Sequence, residues 1–116
     1  MPVKYPPGEH VLLDYWDAER LTDSDFISRA LTDAAEAAGA TVIQTFFHVF
    51  GENGGVTGVA ILAESHLSIH TWPESAYAAL DLFLCGGCRA DLAIEVLQSR
   101  FKPGRQEVKR LQRGNI

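Results

Sequence analysis

The segment Glu64 to Glu74, ESHLSIHTWPE, crowds two Ser, a Thr, two His and two Glu between apolar stretches. A hydroxyl beside an imidazole is the pairing that nucleophilic catalysis uses, the ring taking the proton as the oxygen attacks. Spacing separates the two serines. Ser68 and His70 are two apart and share a strand face, whereas Ser65 and His70 are five apart and fall on opposite faces of a straight strand. Periodicity alone therefore selects Ser68, and Ser65 qualifies only if the chain turns between Glu64 and Leu67. No GxSxG and no hydrolase-like Asp-His-Ser order is present, which argues against a hydrolytic triad. Read without chemistry, the segment is a half-exposed strand with His66, Ser68 and His70 alternating outward.

Cys85-Gly-Gly-Cys88 is a CxxC pair, the spacing of dithiol redox sites and of half a zinc site. A second pair of ligands is missing from the sequence, so zinc would need His48, His66 or His70 brought close in three dimensions. A turn with one inward thiol and one incidental thiol accounts for the pair more simply than either. His10 and His48 sit in apolar strands and read as structural histidines.

Elements of regular structure must position these groups. His10 to Trp16 reads as a strand. Thr22 or Ser24 can cap a helix carrying Phe26, Ile27, Ala30, Leu31, Ala34 and Ala38, ended by Gly39. Thr41 to Phe50 is a β-branched and aromatic strand, followed by the loop GENGG. Val56–Ala63, Leu67–Trp72 and Tyr77–Leu84 are further strands, the first two separated by Glu64-Ser65-His66. Asp91 can cap a second helix with Leu92, Ile94, Val96, Leu97 and Phe101, and Gln106 to Leu111 is a last strand. Two helices with five or six hairpin-linked strands specify an α+β two-layer sandwich, an antiparallel sheet with both helices packed on one face. The uncovered face is a natural surface for a homodimer.

The chain has 116 residues, 47% of them hydrophobic, and a net charge of −5, consistent with a single domain over 1–116. The acidic balance disfavours nucleic acid and anionic membranes as partners. No apolar run approaches the roughly 20 residues of a membrane helix, and residues 1–10 lack the apolar core of a secretion signal, so the expected compartment is the cytoplasm. Residues 1–8 are Pro-rich and read as loose.

The stretch VTGVAILAESHLSIHTWPESAYAALDLFLCG, Val56 to Gly86, closely resembles the small bacterial and archaeal S-adenosylmethionine decarboxylases, with weaker resemblance through Thr45-Phe46-Phe47-His48 and Gln112-Arg113-Gly114. The resemblance implies a proenzyme that makes its own cofactor. The hydroxyl at Ser65 attacks the Glu64 carbonyl, an ester forms, and His70 removes the Cα proton for elimination. The chain separates into 1–64 and 65–116, leaving a pyruvoyl group (covalent pyruvate) derived from Ser65. Thr57 matches a serine whose hydroxyl stabilises the tetrahedral intermediate. Such chemistry needs a strained turn at Glu64-Ser65, and on this resemblance Ser65 replaces Ser68 as the nucleophile.

The resemblance further implies that the substrate amine forms a Schiff base with the pyruvoyl ketone and that Cys85 reprotonates the carbon left by carbon dioxide. Glu74 would accept both ribose hydroxyls, Phe50 would stack on adenine, and the main chain of Leu62 to Glu64 would read the base edge. No metal is implied. The product is the aminopropyl donor of spermidine synthesis. Leu84 before the thiol, Ser75-Ala76 after Glu74 and a GENGG loop one residue longer than usual depart from the family pattern near the substrate pocket. Arginine or ornithine decarboxylation on the same scaffold is the alternative activity, and a non-catalytic CxxC redox or zinc module the alternative class.

Overall fold

A computed structural model describes residues 8–114; most of the Pro-rich N-terminal stretch lies outside them. The chain runs β1 (Gly8–Trp16), α1 (Ser24–Ala37), β2 (Val42–Val49), β3 (Val56–Leu62), β4 (Ser65–Trp72), a 3₁₀ turn (Pro73–Ser75), β5 (Tyr77–Cys85), α2 (Ala90–Phe101) and β6 (Arg105–Arg113). The strands form one sheet in the order β2-β3-β4-β5-β1-β6, and every neighbouring pair is antiparallel. This is the α+β sandwich that the alternation of strands and amphipathic helices specifies.

Alternation assigns the two faces. Val11, Leu13 and Tyr15 of β1, Leu67 and Ile69 of β4, and Leu80 and Leu82 of β5 are buried beneath Ile27 and Leu31 of α1 and Leu97 and Phe101 of α2. Each such side chain contributes about 1.5–3 kcal/mol by leaving water. The opposite face carries Thr57, Val59, Ile61, Ser68, His70, Trp72, Asp81 and Phe83 with no helix above them. Phe46, Ile61, Trp72 and Leu111 on that side are 52, 38, 42 and 49% exposed.

The helix starts differ from expectation. Asp23, not Thr22 or Ser24, caps α1: its backbone is extended and its carboxylate accepts from Phe26 N at 3.1 Å. A carboxylate is the stronger acceptor at the positive end of a helix. Asp91 lies inside the first turn of α2, where it pairs with Arg89, and that helix has no side-chain cap.

One buried polar residue anchors the fold near the cleft described below. Thr71 Oγ1 accepts from Val56 N and donates to Leu21 O, both at 2.8 Å, tying the starts of β3 and α1 to β4. Among the described residues no helix is long and apolar enough to cross a membrane.

Candidate active site

A cleft of about 530 Å³ opens where β2, β3 and β4 meet the 3₁₀ turn. Phe50, Thr57, His70 and Glu74 all line it, together with Asn53 and Trp72. Thr57 and His70 are cross-strand partners, and the Thr57 hydroxyl lies 3.2 Å from His70 Nδ1. The Phe50 ring packs edge-on against His48, with centroids 4.7 Å apart, and is half exposed. The long GENGG loop folds back on the cleft. Asn53 Nδ2 donates to Glu74 at 3.1 Å while Asn53 Oδ1 accepts from Gly55 N, an Asx-type turn. One Glu74 oxygen is thereby held and the carboxylate oriented. Asn53 was not among the candidate residues; an Asn followed by two glycines signals a turn, not a ligand.

Ser65 sits elsewhere. The hairpin between β3 and β4 has a two-residue loop, Ala63-Glu64, closed by the pair Leu62 and Ser65. Glu64 adopts φ +63°, the second loop position at which a type II turn calls for glycine or asparagine. A side chain in the left-handed region costs about 1–2 kcal/mol, so strain is stored at the Glu64–Ser65 peptide. Across the sheet, the Cys85 backbone N–H donates to Ser65 Oγ at 3.0 Å. Cys85 Sγ is 2.9 Å from Cys88 Sγ, and both cysteines are free. Burial, then the Cys85 sulfur, pushes the Cys88 thiol up to about 11. Leu62 is buried on the helix side, which leaves only its main chain near this end. Leu84 is buried in the core as well, so the departure before the thiol is a packing change.

Within one chain the candidate residues form two groups. Ser65 is the first residue of β4 and His70 the sixth, about 16 Å apart at 3.3 Å per residue. They also face opposite sides: Ser65 shares the side of Leu67 and Ile69, His70 that of Ser68 and Trp72. The turn lies just before Ser65, so the strand geometry that set Ser65 against His70 persists. Glu64, Ser65 and Cys85 occupy one end of the sheet; Phe50, Thr57, His70 and Glu74 occupy the other.

Ser68, the serine periodicity favours, shares the open face with His70 but hydrogen-bonds elsewhere. It belongs to a cluster on the open face in which Asp81 accepts from Ser68 Oγ and lies 2.7 Å from His10 Nε2 and 3.0 Å from His66 Nε2. Burial pushes the Asp81 carboxyl up, but the contacts from Ser68, His10 and His66 outweigh it and hold the carboxyl below the ordinary aspartate range. Three such groups also resemble a metal-ligand set. Arg113 Nη1 lies 3.2 Å from His10 Nδ1, and a guanidinium only donates, a contact that favours the His10 tautomer with Nε2–H facing Asp81. His48, His66 and His70 are each engaged by Phe50, Asp81 and Thr57 in turn, and among the described residues no histidine joins the two thiols as a ligand set.

The fold and these groups define a two-layer α+β protein with a strained hairpin serine tied to a thiol-bearing strand end. A family model described as S-adenosylmethionine decarboxylase matches residues 9–114. The chain is 43% identical over 110 residues to the S-adenosylmethionine decarboxylase proenzyme of Thermomicrobium roseum, covering 94% of this chain and 95% of that one. It is 46% identical over 112 residues to the proenzyme of the same name in Methanococcus maripaludis strain C7, covering 94% and 91%. A crystal structure of the adenosylmethionine decarboxylase from Aquifex aeolicus superposes with a TM-score of 0.85 at 30% identity, covering 97% of this chain and 94% of that one. The chain belongs to the S-adenosylmethionine decarboxylase family. Membership places it among decarboxylases and lends no support to the arginine, ornithine or CxxC-module alternatives.

Proposed function

We propose that the chain cleaves itself between Glu64 and Ser65, giving pieces 1–64 and 65–116, and that the processed protein decarboxylates S-adenosylmethionine in the cytoplasm to supply the aminopropyl donor of spermidine. The observation that carries this reading is residue 65, placed directly after a strained φ and hydrogen-bonded to the strand end bearing Cys85. Those features fit a serine-derived pyruvoyl group: strain at the bond to be broken, and a thiol residue adjoining the position where the group would reside.

Each residue then has a task. Ser65 Oγ attacks the Glu64 carbonyl carbon, and relief of the Glu64 strain favours that step. Thr57 offers a hydroxyl to the oxyanion. The amide bond gives way to an ester. His70 removes the Cα proton of residue 65, and the ester C–O bond breaks to release the Glu64 carboxylate. The dehydroalanine left at 65 takes up water and loses ammonia. The pyruvoyl group so formed supplies an electron sink for decarboxylation of an amine substrate. Phe50 provides a stacking face for adenine, Glu74 accepts the ribose hydroxyls with its orientation set by Asn53, and Cys85 returns a proton to the product carbon.

The two groups lie too far apart for one chain to do this alone, which supports a homodimer. A second copy laid two-fold on the uncovered face would set the sheet end that carries Ser65 and Cys85 in one chain beside the Phe50–His70–Glu74 end of the other, twice per dimer. Because Ser65 points to the helix side, the partner's groups reach residue 65 around the end of the sheet. The apolar side chains exposed on that face support the same arrangement.

Carbon dioxide release from carboxyl-labelled S-adenosylmethionine, arginine and ornithine at equal concentration tests the activity. Release from the nucleoside substrate alone is expected; release chiefly from either amino acid would overturn the substrate assignment.

A further inference from the structure

We propose that Cys85 and Cys88 are a redox modification site, at which an intrachain disulfide reversibly silences the decarboxylase; the silencing rests on the proton-donor role given to Cys85 above. Cys88 has no task in the decarboxylation itself, yet its sulfur lies 2.9 Å from that of Cys85. The turn Cys85-Gly86-Gly87-Cys88 is closed by Cys88 N donating to Cys85 O at 3.0 Å, so the two side chains emerge on the same side. Both flanks are fixed. Cys85 ends β5, and Arg89 N donates to Ala38 O at 2.9 Å just before α2. Both cysteines are partly exposed and border a recess of about 170 Å³ shared with Gly8, Glu9, Ala90 and Gln112.

The oxidant is a low-molecular-weight disulfide of the glutathione class. Cys85 gives up its proton and its sulfur attacks one sulfur of the oxidant; the oxidant's S–S bond breaks and one thiol leaves with that proton. Cys88 then loses its proton and attacks Cys85 in the mixed disulfide, expelling the second thiol. Two protein thiols give up two protons and two electrons, and the oxidant becomes two thiols. Burial pushes the Cys88 thiol up to about 11, which suits the slower, resolving role, and the 2.9 Å between the two sulfurs lets it reach the mixed disulfide on Cys85. A Cys85 sulfur held in a disulfide has no proton to return to the product carbon.

The test poises the processed protein in buffers of reduced and oxidised glutathione, then reads the intact mass of the 65–116 piece and activity on S-adenosylmethionine. The piece is expected to lose two hydrogens in step with activity, and dithiothreitol to restore both. Cys88→Ala is expected to keep its activity in the buffer that half-inactivates the wild type. Two hydrogens lost with activity retained, thiols that stay reduced throughout, or equal inactivation of Cys88→Ala would each overturn the proposal. A fully reduced protein that releases no carbon dioxide would instead sink the decarboxylase reading, and the silencing with it, while the mass measurement still reports the disulfide.

Discussion

The Cys85 backbone N–H donates to the Ser65 hydroxyl at 3.0 Å, across twenty residues of sequence. That bond fixes the serine after a hairpin loop whose second residue, Glu64, is held at φ +63°. Strain at a bond that must break is useful only if the reaction relieves it. Glu64→Gly removes the Cβ responsible, at a stored cost of about 1–2 kcal/mol. Self-cleavage of that variant is expected to slow about 5- to 30-fold, followed as the decay of full-length chain after synthesis. An unchanged or faster rate would show that the strain is incidental.

If the proposed homodimer shares its sites, the separation of Ser65 and His70 along β4 makes cleavage a property of the pair of chains. Ser65→Ala and His70→Ala should each remain full length when produced alone. Produced together, the His70→Ala chain keeps its Ser65 and meets His70 from its partner. About half of the His70→Ala chains should then be cut under random pairing, and none of the Ser65→Ala chains. Mass spectrometry identifies which chain was cut. Cleavage of His70→Ala produced alone would refute the shared site.

Much of this architecture is legible in the residues themselves. Tyr77–Cys85 alternates cleanly because one side faces the helices, and α1 shows its apolar stripe at helical spacing. What could not be read has identifiable causes. The start of β4 at Ser65 was hidden because a glutamate at a positive φ carries no turn signal; the strain there followed only from family resemblance. The full extent of β6, Arg105–Arg113, was missed because an edge strand exposed along most of its length has no burial alternation to reveal. Asp81 and His10 are 71 residues apart and meet only because β1 inserts beside β5, a pairing that local pattern does not specify. Asn53 escaped for a similar reason: its bond to Glu74 depends on how the long loop folds back.

The Asp81 cluster has a pH signature. Its folded carboxyl is held below the ordinary aspartate value near 3.9. The stabilisation is therefore present above that value and is lost as the pH falls through the lower folded value. Asp81→Asn should cost about 1–3 kcal/mol at neutral pH through its weakened hydrogen bonds. It should also flatten the acid limb of stability. Thermal unfolding of both proteins between pH 3 and pH 7 checks this; parallel acid limbs would show that Asp81 contributes nothing.

Asn53 orients Glu74 without touching the self-cleavage residues. Asn53→Ala should raise KM for S-adenosylmethionine about 2- to 10-fold, the loss of one hydrogen bond, with kcat and the extent of cleavage unchanged. Steady-state kinetics on fully processed protein decides it. A fall in kcat at constant KM would place Asn53 in the chemistry and not in binding.

The central claim is that Ser65 becomes the cofactor, and the intact mass of the purified protein tests it most directly. Two polypeptides are expected, residues 1–64 and 65–116, the second lighter than its serine form by one ammonia and blocked at its N-terminus. A single uncut chain of 116 residues, or a 65–116 piece that retains a free N-terminal serine, would contradict it.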